Sequence, residues 1–207
     1  MQTTRVTLLR HGQCEGGNIL RGQVNVSLSE QGKLQMQNAF FELFLVAEPT
    51  LSDSPLVVIS SPLIRCAAPA KAFATSHQLP LFIDDGFKEL NFGDWDGKTF
   101  DALYQSDAAA LDSYWANPWQ ASPPNGESMQ AFELRIEQAW QSMIEQHQGK
   151  QILLVTHGGV MRYLMSKALG VSQVAGFYTA LKLPYAAKVP IDILHDGDTL
   201  HLSLNWA

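Results

Sequence analysis

The sequence predicts one α/β domain in three layers, a mostly parallel sheet flanked by helices on both faces. Three observations carry this reading. Val6-Thr7-Leu8-Leu9, Leu56-Val57-Val58-Ile59 and Ile152-Leu153-Leu154-Val155 are short aliphatic runs without polar alternation, the pattern of strands buried on both sides. Helical patterns with their own start and stop signals separate them, and strands alternating with helices build parallel sheets. The chain has 207 residues, which suits a single domain spanning 1–207. A chain of this size buries roughly 70% of its unfolded surface, so its core needs neither metal nor disulfide.

Each element has a local reason. After the first strand, Ser29 caps a helix through Leu34, Ala39, Phe40, Leu43 and Phe44 that stops before Pro49. After the second, Ser61 is the expected cap and Pro62 the first residue of a helix through Ile64 and Ala68 towards Phe73. Leu81 to Ile83 reads as a further strand. Residues 91–126 are aromatic, proline-bearing and weakly periodic, so they are expected as an insertion with short helices over the carboxyl edge of the sheet. Met129, Phe132, Ile136, Trp140 and Met143 keep one apolar face over about four turns and stop near Gly149. Val160 to Leu169 is helical, with Gly170 where a left-handed cap belongs. Val189–Leu194 and Thr199–Leu204 flank His195-Asp196-Gly197-Asp198 as a hairpin.

Composition narrows the function. The chain is 46% hydrophobic, which excludes disorder, and its 15 glycines and 10 prolines exclude a coiled coil. Lys and Arg number 14 against 20 Asp and Glu, a net charge of −6, so neither nucleic acid nor an anionic membrane is an expected partner. Cys14 and Cys66 are too few for a disulfide framework, and no metal-ligand spacing occurs, so no metal or other cofactor is expected. MQTTRVTLLRHG is not a signal peptide, and the longest aliphatic runs fall far short of the ~20 residues that span a bilayer. These features point to a reduced, cytoplasmic enzyme or binding domain. No association stripe is visible, which leaves the oligomeric state open.

The residues after each aliphatic run carry the chemistry. The first run leads into Arg10-His11-Gly12, the second into Ser60-Ser61-Pro62 with Arg65 close behind, the third into Thr156-His157-Gly158-Gly159. Open parallel sheets bind ligands outside the carboxyl ends of their strands, so Arg10, His11, Arg65 and His157 should meet at one edge. Two guanidiniums, two imidazoles and helix N-termini suit a doubly charged phosphate. A neutral histidine can attack phosphorus when its other ring nitrogen is held as a donor. His11 is the better nucleophile, because Gly12 lets the backbone fold closely around it and the arginines should lower its pKa. Glu89 lies just beyond the strand at 81–83 and is placed to protonate the leaving oxygen.

LLRHG, SSPLIRCAAPA, ELNFGDWDG and LVTHGG, in that order, resemble the histidine phosphatase superfamily, the phosphoglycerate mutase-like fold. GQVNVSLSEQGKLQ and PPNGES match as well. The resemblance implies a phosphohistidine intermediate on His11, a phosphate pocket of Arg10, Arg65 and His157, Glu89 as proton donor, and no metal. FGDWDGKTFDALY and SYWANPWQASPPNGESMQAF are most similar to the alpha-ribazole 5'-phosphate phosphatases of cobalamin biosynthesis, which implies release of alpha-ribazole and phosphate. Trp95, Tyr114, Trp115 and Trp119 are then candidates to stack on a benzimidazole. Two departures stand out. Gln13 and Cys14 replace the family's glutamate and threonine or serine, and Gly17 occupies the place of a phosphate-binding asparagine, with Asn18 beside it. Asn18, Arg21 and Gly22 are further candidate phosphate or substrate contacts.

Other readings compete. Cys14 and Arg21 are separated by six residues, where a cysteine phosphatase loop has five, so that spacing fails. A broad-specificity sugar or nucleotide phosphatase and a phosphoglycerate mutase share the same machinery. A mutase needs a lid to exclude water, and the modest insertion and the end at Asn205-Trp206-Ala207 favour hydrolysis. A non-catalytic phosphoester-binding module would keep the arginines without needing Glu89.

Overall fold

The three aliphatic runs become neighbouring strands because each can bury both of its faces. The computed structural model describes residues 2–45 and 55–205. Six strands, β1 (Gln2–Arg10), β2 (Leu56–Ser60), β3 (Leu81–Ile83), β4 (Gln151–Thr156), β5 (Lys188–Asp196) and β6 (Thr199–Leu204), lie in the order β3-β2-β4-β1-β5-β6. The first four in that order are mutually parallel, while β5 runs antiparallel along the free side of β1 and β6 pairs antiparallel with β5 to complete the hairpin. Helices α1 (Glu30–Leu45), α2 (Ile64–Ser76), α3 (Phe100–Ala116), α4 (Met129–Gln146), α5 (Gly158–Leu169) and α6 (Ala175–Ala180) surround it. Among the described residues, no helix is long and apolar enough to cross a membrane.

Period two along the strands divides the core between two layers. Val6, Leu8, Val57, Ile59, Ile152 and Leu154 face Phe132, Ile136, Met143 and Leu164, from α4 and α5. Leu9, Val58, Leu153 and Val155 face Met36, Ala39, Phe40, Ala70 and Phe73, from α1 and α2. The register sets Arg10 beside Thr156, and Ser60 beside Val155 and Ile83. The chemistry-bearing segments therefore leave the sheet together at one edge.

The caps mostly follow the sequence. Ser29 Oγ accepts from Gly32 N–H at 3.1 Å, and Gly170 ends α5 at φ 67°. The predicted stop of α1 before Pro49 lies outside the described residues, as do Trp206 and Ala207.

One expectation is corrected. Helix α2 opens at Ile64, after an extended Leu63, rather than at Pro62. Ser61 Oγ sits 2.7 Å from His157 Nε2 and accepts from Leu63 N–H at 3.3 Å, while Asn25 Oδ1 accepts from Ile64 N–H at 2.7 Å. A distant side chain thus satisfies the helix end that Ser61 was expected to cap. The insertion carries short helices, as expected: a single turn at Gly93–Trp95, and α3, which is two helical pieces joined by a kink at a non-helical Asp107 (φ −144°, ψ 27°). Trp95 Nε1 donates to Asp107 Oδ2 at 3.1 Å, which pins the kink. Trp95, Leu103, Leu111 and Tyr114 belong to the main core, so this segment is part of the domain's interior.

Candidate active site

The sheet edge brings together His11, His157, Arg65 and Glu89, all buried, and the half-buried Arg10. The rings of His11 and His157 meet edge on at 5.3 Å between centroids. Gly12 makes the first turn possible: a Cβ there would stand 2.3 Å from the Gly32 carbonyl oxygen, so the loop after His11 packs backbone to backbone on the start of α1.

His11 Nδ1 lies 2.7 Å from the Gly12 carbonyl oxygen. A carbonyl only accepts, so the contact holds the proton on Nδ1 and leaves the Nε2 lone pair free. Burial, and then the nearby Arg65 charge, push the pKa of His11 down to about 3, so the ring is neutral at physiological pH. Cys14 Sγ is 3.5 Å from the same Nδ1, and burial raises its thiol pKa, which keeps it protonated.

Arg65 is fully buried at 0% exposure. Its Nη1 donates to Val24 O at 2.9 Å, its Nη2 to Gly22 O at 2.5 Å, and its Nε to His157 Nδ1 at 3.3 Å. A guanidinium only donates, so His157 carries its proton on Nε2 and gives it to Ser61 Oγ. Both nitrogens of His157 are thus engaged by protein groups, and burial followed by Arg65 holds its pKa well below the ordinary value. Arg10 stacks over the Tyr185 ring at 4.5 Å and donates through Nη1 to Leu183 O. Its Nε is buried with no hydrogen-bond partner.

Glu89 enters from the turn after β3. Its Oε1 accepts from Leu90 N–H and its Oε2 from Gly159 N–H, each at 3.0 Å. Gly159 is required here, since a Cβ would come within 2.2 Å of Glu89 Oε1. Arg135 braces the turn, donating to Gly86 O and Lys88 O at 2.9 and 3.1 Å while pairing with Glu127 at 2.8 Å.

The further candidates divide. Gly22 shapes the site: its carbonyl holds Arg65, its N–H donates to Asp96 Oδ1 at 2.8 Å, and a Cβ would strike Leu90 O at 2.3 Å. Arg21 fastens the preceding loop through Glu15 O at 2.9 Å and through Gly17 O. Asn18 is exposed, and its side chain makes no hydrogen bond among the described residues. Trp95 and Tyr114 are core residues at 0% and 1% exposure, not a platform; Trp115 and Trp119 are half-buried, and Trp119 Nε1 donates to Glu133 at 2.9 Å. Among the described residues, no group of three or more His, Cys, Asp or Glu is arranged to hold a metal ion. A separate apolar groove of about 760 Å³ between α1 and α2, lined by Met36, Phe40, Phe41 and Phe73, includes none of the edge groups.

Tyr185, Arg162 and Arg135 escaped the sequence reading. Arg162 follows Gly158 by four residues, so helical spacing alone put it above the first turn of α5. Tyr185 and Arg135 had no comparable signal.

Burial of two neutral imidazoles makes stability depend on pH. Both folded values lie below the ordinary 6.5, so below that pH the unfolded chain takes up protons that the folded one refuses. The contribution is complete above about pH 6.5 and is lost on acidification, at about 1.4 kcal/mol per pH unit for each ring. His147 shifts in the same direction. Urea midpoints measured between pH 7 and 5 should therefore fall, and His157→Gln should flatten the slope.

The chain is similar to known proteins over most of its length. The chain is 32% identical over 169 residues to the adenosylcobalamin/alpha-ribazole phosphatase of Escherichia coli (strain K12), covering 80% of this chain and 79% of that one. It is 30% identical over 187 residues to the glucosyl-3-phosphoglycerate phosphatase of Mycolicibacterium vanbaalenii, covering 82% and 76%. The solved structure of Bacillus stearothermophilus YhfR superposes with a TM-score of 0.82 at 26% identity, over 97% of this chain and 96% of that one. Residues 6–205 match the histidine phosphatase superfamily (branch 1), and the chain belongs to that family.

Proposed function

We propose that the protein is a metal-independent phosphomonoesterase that works through a phosphohistidine on His11, with alpha-ribazole 5'-phosphate as its substrate. The observation that carries the mechanism is the 2.7 Å contact of His11 Nδ1 with the Gly12 carbonyl, which aims a neutral Nε2 lone pair away from the backbone. In the first step Nε2 attacks phosphorus, the P–O ester bond breaks, and Glu89 gives its proton to the leaving alkoxide. In the second, Glu89 as carboxylate takes a proton from water, the oxygen attacks phosphorus, and the P–N bond breaks to free His11. Arg10 and Arg65 balance the equatorial charge. Arg65 spends three of its five N–H donors on the protein, which leaves two for phosphate oxygens. His157 joins the pocket by exchanging its bond to Ser61 for a phosphate oxygen.

The alpha-ribazole assignment is supported by the Escherichia coli relative. Trp115 and Trp119 are the aromatics left to meet the base. A second reading, a carboxylate-bearing ester of the kind named in the Mycolicibacterium relative, is favoured by one observation: the Nη groups of Arg162 have no partner among the described residues. Free, buried Cys14 and Cys66 fit a reducing cytoplasm.

A phosphate-release assay over metabolite monoesters, alpha-ribazole 5'-phosphate included, tests the proposal. Turnover should persist in EDTA, and Glu89→Gln should lose about 10²–10⁴-fold in kcat while still binding phosphate. A requirement for added divalent metal would refute the mechanism, and full activity of Glu89→Gln would remove the assigned acid.

A further inference from the structure

Two guanidiniums converge on one glycine. A Cβ built on Gly158 would stand 3.2 Å from Arg162 Nη1 and 3.5 Å from Arg10 Nε, so both arginines lie over the first turn of α5. The two nitrogens are then no more than about 7 Å apart, inside the distance over which ordinary salt screens like charges. Both side chains are fixed to the same short segment: Arg162 Nε donates to Leu181 O at 2.9 Å, and Arg10 Nη1 donates to Leu183 O. Arg10 Nε is buried without a partner, and no carboxylate forms an ion pair with Arg10 or Arg162 among the described residues. Glu89 is the nearby acid, but its oxygens accept from the N–H groups of Leu90 and Gly159, and it makes no ion pair with either arginine.

Like charges are held this close in a protein when an anion belongs between or beyond them. One phosphoryl group satisfies Arg10. Arg162, held to Leu181 O through Nε alone, keeps its Nη groups for a second anion. Adjacent glycines place these groups: the Gly158 Cα carries the arginine pair, while a Cβ on Gly159 would meet Glu89 Oε1 at 2.2 Å and Tyr178 Oη at 2.9 Å. Glu89 marks the side from which the leaving oxygen is protonated, so Arg162 stands beside the alcohol portion of the substrate.

We infer that Arg162 is a specificity residue that binds a second oxyanion, carboxylate or phosphate, on the alcohol portion of the substrate. The preferred substrates are then phosphate esters with another anionic group a few bonds from the ester oxygen. This rests on the phosphatase chemistry proposed above, and it follows the second reading given there, the acid-bearing ester, against the alpha-ribazole assignment. It ranks an acidic phosphoester above alpha-ribazole 5'-phosphate, whose alcohol carries no such group. A planar guanidinium fork with both Nη groups open suits either oxyanion.

Matched substrate pairs test it on the intact protein. 3-Phosphoglycerate and glycerol 3-phosphate differ by a carboxylate in place of a hydroxymethyl group; ribose 1,5-bisphosphate and ribose 5-phosphate differ by a second phosphate. The wild-type protein should favour the acidic member of at least one pair by tenfold or more in kcat/KM, and the pair that shows it identifies the group. Arg162→Met should remove most of that preference, chiefly through KM, and Arg162→Lys should restore part of it. A loss equal for both members of a pair would make Arg162 a support for the 181–183 segment alone and overturn the inference, as would a wild-type preference for the neutral esters. Failure of the wild-type protein to hydrolyse any ester would instead overturn the phosphatase reading beneath it.

Discussion

His11→Ala is expected to lower kcat/KM by at least about 10⁴-fold, because it deletes the group that forms the covalent bond to phosphorus. No neighbour replaces it. Both nitrogens of His157 are occupied, by Arg65 Nε at 3.3 Å and Ser61 Oγ at 2.7 Å. Cys14 lies on the Nδ1 side of His11 with its thiol held protonated by burial, so it does not inherit the reaction. Cys14→Ser should therefore keep most of the activity that His11→Ala loses. The fold should survive His11→Ala, since the ring's hydrogen bonds are local, and urea unfolding at pH 7 should change little. Inactivity in both variants, with native-like unfolding, would point to the thiol instead.

Arg65→Met should damage both stability and catalysis. The substitution leaves the Gly22 and Val24 carbonyls and His157 Nδ1 without their donor. Each orphaned buried acceptor costs about 1–3 kcal/mol, partly offset because a buried charge disappears. A net loss of about 3 kcal/mol corresponds to roughly 6–12 °C in Tm for a chain of this size. Turnover should fall about 10²–10³-fold further than unfolding explains, through the lost charge on the phosphoryl oxygens. There is also a pH signature. Arg65 is the leading charge among those that lower the pKa of His11 and of His157, so its removal raises both values and moves the acid limb of the rate profile upward. An unchanged acid limb would detach Arg65 from the histidines.

The sheet was legible because its signal is local. Leu9, Val58, Leu153 and Val155 alternate with residues that are just as apolar, which fits only a strand covered on both faces. Once those strands run parallel, Arg10, Arg65 and His157 must share an edge, and Arg65 kept its place in the first turn of α2 even though that helix begins two residues late. The misreadings came from side chains claimed by distant partners. Ser61 has the local form of a helix cap, but His157, 96 positions away, takes its hydroxyl, and Asn25 completes the helix end from 39 positions away. Trp95 and Tyr114 were open to two readings, insertion core or substrate platform, because Asp107 and the Ala108–Ala110 run interrupt the period of α3; the structure puts both in the core. Gly12 and Gly159 were visible as glycines one and two residues after a histidine, but the atoms that exclude a side chain there, the Gly32 carbonyl and Glu89 Oε1, come from remote parts of the chain. Sequence spacing does not carry that information.

The most direct measurement is the chemistry of the phosphoenzyme. The wild-type protein, mixed with a ³²P-labelled monoester and quenched within one turnover, should yield a labelled protein whose phosphate survives alkali, is lost in acid, and maps to the peptide containing His11. A label on Cys14, or rapid phosphate release with no covalent label at any quench time, would contradict the account.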